Sequence, residues 1–222
     1  GVGSRFWPMS TAENPKQFLK LIDNKSLISL TYDRLLNMSS KDNIFIITSN
    51  RYQQQIKEQI PGIKSENIIY EPSPKNTAPA IYLACKYILD IDANATIGVY
   101  PADHYIKNSE QLYSTIGTIE NFIDSNKQSI VTIGLTPTYP STSYGYININ
   151  HTKTNQVVKI NQFIEKPSFE NASQLIKDEN NLWNSGMFFF KAQKMLNELD
   201  EYVPEMKKIF SNIQSLDEIN KI

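Results

Sequence analysis

Four short apolar runs, Ile44-Phe45-Ile46-Ile47-Thr48, Asn67 to Tyr70, Thr96-Ile97-Gly98-Val99-Tyr100 and Ser129 to Gly134, are too brief for helices and lack the strict alternation of half-exposed strands. They suit short strands, and 44–48 in particular suits one buried on both faces of a parallel sheet, with 96–100 the next buried strand. The segments between them have helical character. Residues 26–38 carry Leu27, Leu30, Leu35 and Met38 on one stripe; about 51–60 is a polar helix closed by Pro61-Gly62; Ile81, Ala84, Cys85 and Ile88 form a second stripe; and a further helix covers about 110–124. Strands separated by helices need crossover connections, so the chain is restricted to an α/β fold with a mainly parallel central sheet flanked by helices.

Beyond Gly134 the pattern changes. Residues 144–150 alternate, 151–155 are polar, and Val157 to Ile164 is again strand-like, which adds a hairpin or mixed portion. A helix over about 171–177 follows. The aromatic run Leu182 to Phe190 reads as core, and the segment from Ala192 onward reads as two helices broken near Val203-Pro204. With no internal repeat or linker, 222 residues suit a single domain.

Charge narrows the partners. Lys and Arg total 22 against 23 acidic residues, a net charge of −1, so nothing draws the whole molecule to nucleic acid or an anionic membrane and any anion site must be local. Cys85 is the only cysteine; it excludes an internal disulfide, reads as a packed core thiol, and favours a reducing, cytoplasmic setting. No apolar run approaches the roughly 18 residues of a membrane span, and the start lacks a signal-peptide pattern.

The candidate anion site is the segment Gly1-Val2-Gly3-Ser4-Arg5-Phe6-Trp7-Pro8, running on to Pro15-Lys16-Gln17-Phe18-Leu19. Two glycines can offer bare N–H groups to an anion, and Arg5 and Lys16 supply charge suited to a polyphosphate. Alone, Gly-x-Gly is equally an ordinary turn. Such loops normally follow an anchoring strand, so the chain is expected to begin inside its first motif.

A second candidate follows the strand at 96–100, whose carboxyl end delivers Pro101-Ala102-Asp103-His104. Ligands of open α/β sheets bind outside the carboxyl ends of strands, so Asp103 either holds a hard cation such as Mg²⁺ or caps the next turn. His104 reads as hydrogen-bonded support, and His151 as part of a hairpin tip. The polar loop Pro137 to Ser143 suits covering a ligand, which Gly145 lets the backbone approach. Glu165 and Lys166 close the hairpin; neighbours on a strand point to opposite faces, so they need not pair, and by themselves they read either as a solvated strand end or as ligand contacts. Asn184 can both donate to and accept from a hydroxylated ligand.

The string Gly-x-Gly-x-Arg-x-Trp-Pro followed by Pro15-Lys16-Gln17-Phe18 resembles the signature of sugar-nucleotide pyrophosphorylases, and its Trp7-Pro8 and Pro-Lys-Gln-Phe elements are most similar to the mannose-1-phosphate guanylyltransferases. Lys75-Asn76-Thr77-Ala78-Pro79-Ala80 resembles that family's loop near the base and ribose, with Lys75 where Arg is usual; charge is kept but the planar fork is lost. Thr77 is a candidate N-cap there, with Pro79 in the first turn. The resemblance implies a Rossmann-like nucleotide-diphospho-sugar transferase fold and the reaction of GTP with α-D-mannose 1-phosphate, assisted by Mg²⁺, to give GDP-mannose and pyrophosphate. It assigns Arg5, Lys16 and Asp103 to catalysis, Asp103 to the metal, and Gly1, Gly3, Ser4, Arg5, Lys16, Asn76 and Thr77 to the nucleotide. The elements Ser143-Tyr144-Gly145-Tyr146, Glu165-Lys166-Pro167 and Asn184-Ser185-Gly186-Met187-Phe188 resemble its sugar-phosphate contacts, which assigns Gly145, Glu165, Lys166 and Asn184.

Two alternatives stay open: a pyrophosphorylase for another sugar 1-phosphate or nucleotide, and a noncatalytic regulatory subunit that binds nucleotide sugar. A homo-oligomer is also open. The family's second metal carboxylate lies in a Ser-Ile-Asp-type motif that has no counterpart before Ile222, since Asp217 in Ser215-Leu216-Asp217-Glu218 reads as a capped helix start. The resemblance thus implies a chain incomplete at both ends, without its first strand and its C-terminal portion.

Overall fold

The computed structural model describes residues 6–71, 77–150 and 156–210. The first half runs through β1 (Lys20–Ile22), β2 (Lys25–Ser26), α1 (Leu27–Leu36), β3 (Ile46–Ser49), α2 (Gln53–Gln59), β4 (Ile68–Glu71), α3 (Thr77–Ile91), β5 (Thr96–Val99) and α4 (Ser109–Ser125). The second half adds β6 (Ile130–Leu135), β7 (Tyr146–Ile149), β8 (Ile160–Ile164), α5 (Phe169–Leu175), β9 (Asn181–Lys191), α6 (Ala192–Tyr202) and α7 (Pro204–Phe210). These elements form two compact units interleaved along the chain, one of residues 1–95, 101–109 and 192–222, the other of residues 96–100 and 110–191.

In the first unit, β3 and β4 pair in parallel from Ile46↔Ile68 to Ser49↔Glu71, with α2 in the crossover between them. The strand expected at 44–48 to be buried on both faces meets two cores, partly buried Ile46 packing against one and Ile47 against the other, and β4 divides in the same way. Ile68 packs with Phe18, Ile28, Tyr32 and Ile56, while Ile69 packs with Tyr82, Leu83, Met206 and Phe210. Successive side chains of a strand leave opposite faces, so one short run serves two cores. Ser26 caps α1, its hydroxyl accepting from the Ser29 N–H at 3.3 Å. On the other side α3 is tied to the last two helices: the Tyr82 hydroxyl donates to Asp200 Oδ1 at 2.8 Å, and its ring stacks on Phe210 at 5.1 Å. Pro204 opens α7, where its missing N–H costs nothing. Cys85 is fully buried on α3, and burial pushes its thiol up to about 12, as suits an inert core group.

The second unit is built on β9. This strand pairs antiparallel with β5 (Gly98↔Phe189), with β6 (Val131↔Phe189, Gly134↔Asn184) and with β7 (Tyr146↔Trp183), and β7 pairs antiparallel with β8. The α/β class stands, but parallel pairing is confined to β3 and β4 among the described residues, and the five-stranded sheet pairs antiparallel throughout. The run 182–190, read only as core, is the strand on which the others converge. Its burial alternates, with Trp183, Ser185, Met187 and Phe189 inside. The hairpin expected around 151–155 joins β7 to β8, although its tip, including His151, lies outside the described residues. Ser168 caps α5. No helix among the described residues is long and apolar enough to cross a membrane.

Candidate active site

The first unit brings Lys16 to Asp103 across 87 positions: Lys16 Nζ donates to Asp103 Oδ2 at 3.1 Å. Each partner is held by neighbours that have been given to the core. Pro15 and Phe18, on either side of the lysine, are buried, and the Phe18 ring lies 5.4 Å from that of Tyr52. The preceding loop is fastened to the segment opening α2, the Tyr52 hydroxyl donating to Ala12 O and Gln55 Nε2 to Glu13 O, both at 2.8 Å. Lys16 is the member of Pro-Lys-Gln-Phe left to reach the acid. On the other side Ala102 packs against the core, and the carbonyl of His104 accepts from the buried Arg34 at 3.4 Å. Asp103 is thereby fixed from both flanks.

The pair is half-buried, its side chains retaining 23% and 39% of their exposure, so it is weak enough to open for a ligand. Asp103 Oδ1 lies outside the bond to Lys16. A single accessible carboxylate suits Mg²⁺, which keeps waters and takes substrate phosphates as further ligands instead of an all-protein cage; no cluster of three potential metal ligands occurs among the described residues. His104 is held below the usual imidazole range, chiefly by burial, with Asp103 opposing and Lys16 and Arg34 reinforcing the effect. That direction favours the neutral imidazole at neutral pH.

The second unit assembles all four sugar candidates. The Asn184 N–H donates to Gly145 O at 2.8 Å, and Glu165 Oε2 lies 2.9 Å from where a Cβ on Gly145 would sit. Lys166 Nζ donates to Glu165 Oε1 at 2.7 Å. The two residues need not have paired on a strand, but β8 ends at Ile164 and Lys166 adopts φ 42° just before Pro167, so strand alternation does not apply and the two side chains meet. The loop before Gly145 is anchored on the far side of the strand by Trp183, whose ring lies 4.9 Å from Tyr139 and 5.0 Å from Tyr144, and by the Tyr146 hydroxyl donating to Ser141 O.

Asn184 is more specialised than expected. Its Oδ1 accepts from the Gly186 N–H at 3.1 Å and lies 2.8 Å from Thr132 Oγ1, whose one proton it shares with Met187 O. A main-chain donor on that oxygen fixes the amide orientation, so that Nδ2 is the donor end of the group. Gly186 is required for this arrangement, since its φ of 74° is one that side-chain-bearing residues resist.

Gly1, Gly3, Ser4, Arg5, Lys75, Asn76 and Asp217 lie outside the described residues. Thr77 is the exposed first residue of α3, inside the helix and not ahead of it. Sequence reasoning missed three supporting residues, Arg34, Thr132 and Phe6, whose ring lies 5.0 Å from Lys16 Nζ. Only the Lys16 flank, already rich in motif residues, carried a signal for any of them.

Residues 1–219 match the nucleotidyl transferase family model. Mannose-1-phosphate guanylyltransferase of Escherichia coli is 35% identical over 218 residues, covering 94% of this chain and 46% of that protein. The chain thus spans about half the length of the curated relatives it matches. A Thermus thermophilus crystal structure described as mannose-1-phosphate geranyltransferase superposes with a TM-score of 0.85 at 28% identity, over 99% of this chain and 64% of that one. One from Helicobacter pylori described as mannose-6-phosphate isomerase gives 0.74 at 32% identity, over 88% and 73%.

Proposed function

We propose that this chain, which belongs to the nucleotidyl transferase family, transfers a guanylyl group from GTP to α-D-mannose 1-phosphate, releasing pyrophosphate and forming GDP-mannose. The observation that carries the reading is the meeting of Lys16 and Asp103 at 3.1 Å, which supplies a cation for phosphate and an anion for metal at one place. Similarity to guanylyltransferases named for mannose 1-phosphate supplies the choice of substrates.

A phosphate oxygen of the sugar phosphate attacks the α-phosphorus in line; the new P–O bond forms as the bond to the pyrophosphate oxygen breaks. The attacking oxygen is already anionic, so no general base is needed. The barrier lies in repulsion between anions and in charge growing on pyrophosphate, which favours positioning and electrostatics. Mg²⁺, the divalent cation we assign here, neutralises phosphate charge when bound. Asp103 holds it, Arg5 and Lys16 grip the nucleotide phosphates with the backbone of Gly1, Gly3 and Ser4, and Asn76 and Thr77 frame the nucleoside. Lys166 exchanges its exposed partner Glu165 for the sugar phosphate. Glu165 accepts from sugar hydroxyls, and Asn184 donates to one.

The test is a matrix of four nucleoside triphosphates against several sugar 1-phosphates with Mg²⁺, reading pyrophosphate. GTP with mannose 1-phosphate is expected to be fastest; faster release with another pair overturns the substrate assignment, and binding of GDP-mannose without release from any pair indicates a noncatalytic binder. Gly145→Ala is a sharper check. A methyl group there sits 2.9 Å from both Glu165 Oε2 and the Phe163 ring, which must move aside. Because both are side-chain ends near the surface, the fold is expected to hold, while KM for the sugar phosphate rises roughly tenfold, ~1.4 kcal/mol of lost binding. An unchanged KM in steady-state kinetics removes the Glu165 carboxylate from sugar recognition.

A further inference from the structure

We infer that Phe6 is a positioning residue for Lys16, a role that rests on the assignment of Lys16 to the nucleotide phosphates. The ammonium of Lys16 lies 5.0 Å from the centroid of the Phe6 ring, within the range at which an aromatic face attracts a cation. Both ends of the contact are fixed. The Phe6 carbonyl accepts from the N–H groups of Met9 at 2.8 Å and Ser10 at 3.1 Å, and Ser10 is buried, so the ring stands on a closed turn. Lys16 stands between the buried Pro15 and Phe18.

Phe6 itself remains 37% exposed, so its ring does not serve a packed core. What it does touch is the lysine. A lysine carries its charge on a flexible four-carbon stem, and an ammonium that loses its carboxylate partner is free to swing away. The ring is uncharged and does not compete for phosphate. It therefore holds Lys16 in place while the ammonium exchanges Asp103 for a nucleotide phosphate, which the carboxylate alone cannot do.

The experiment measures GTP binding without divalent metal, by calorimetry, together with steady-state kinetics, for the parent protein, Phe6→Leu, Phe6→Tyr, Lys16→Met and the Phe6→Leu/Lys16→Met pair. Loss of the ring face is expected to weaken metal-free GTP binding about fivefold and to raise KM for GTP by the same factor, with kcat within about twofold. Phe6→Tyr keeps the face and stays within about twofold of the parent. In the Lys16→Met background Phe6→Leu has no further effect. The inference is overturned if Phe6→Leu binds GTP like the parent, if Phe6→Tyr is as weak as Phe6→Leu, or if Phe6→Leu is equally damaging without Lys16. A parent that neither binds GTP nor releases pyrophosphate from any pair overturns the nucleotidyl-transfer reading itself, and this role with it; the parent's behaviour separates the two failures.

Discussion

Asp103→Asn is expected to lower Mg²⁺-dependent pyrophosphate release by roughly a thousandfold, ~4 kcal/mol of transition-state stabilisation. The substitution keeps the size of the side chain and an oxygen acceptor but removes the charge that draws a hard cation. Its effect on the fold is small, because the ion pair with Lys16 is partly solvated and such pairs contribute about 0–1 kcal/mol. Loss of activity without loss of thermal stability therefore assigns the carboxylate to chemistry. The same variant separates two roles for Asp103. If the acid only restrains Lys16, its removal frees the ammonium, metal-free GTP binding tightens and turnover persists. If it holds the cation, metal-free binding is equal or tighter, yet turnover collapses. Turnover within about threefold of the parent would remove Asp103 from the metal role.

How much of this was legible beforehand depended on whether the signal was local. Helix α1, the short strands β3 and β4, and the β7–β8 hairpin follow from periodicity over a few residues, and all were readable; the Ser26 cap of α1 was not marked. The place of β9 was not. A continuous run of aromatic and aliphatic residues tells that a segment is buried but not which strands flank it, and antiparallel pairing of β9 with β5, β6 and β7 is a contact between distant parts of the chain.

The site divides in the same way. Lys16 and Asp103 were each marked by a motif, and the fold brings the two side chains together. Thr132 carried no mark, because its reach to Asn184 is set by a register shift in β6 against β9 between Thr132 and Gly134, which composition cannot reveal. Arg34 was invisible for a different reason. A charged residue on an amphipathic helix is ordinarily solvated, yet this one is buried against Thr31 and the carbonyl of His104. The Glu165–Lys166 contact was left open because the strand rule was carried two residues past the end of β8.

That last residue supports a second large effect. Lys166 has φ 42°, a left-handed conformation that costs a side-chain-bearing residue ~1–2 kcal/mol. Strain of this kind persists where the surroundings fix it, and it gathers at ligand clamps. Lys166→Gly removes the strain and the ammonium together. Relief of the strain is offset by the ~0.5–1 kcal/mol of extra chain entropy that glycine gives the unfolded state and by loss of an exposed ion pair worth ~0.2–1 kcal/mol. The terms nearly cancel, so stability to urea is expected to change by under ~1 kcal/mol. Activity is not balanced in this way. In the proposed role of Lys166 a charge-assisted contact to the attacking phosphate is lost outright, and kcat/KM for the sugar phosphate is expected to fall about a hundredfold, ~2.7 kcal/mol. Lys166→Met, which keeps the strain and lacks the charge, should lose the same activity and be no more stable than the glycine variant. If glycine retains parental kcat/KM, Lys166 is not the phosphate ligand; if methionine proves clearly the more stable of the two, the left-handed backbone is not strained, and the conformation of Lys166 needs another cause.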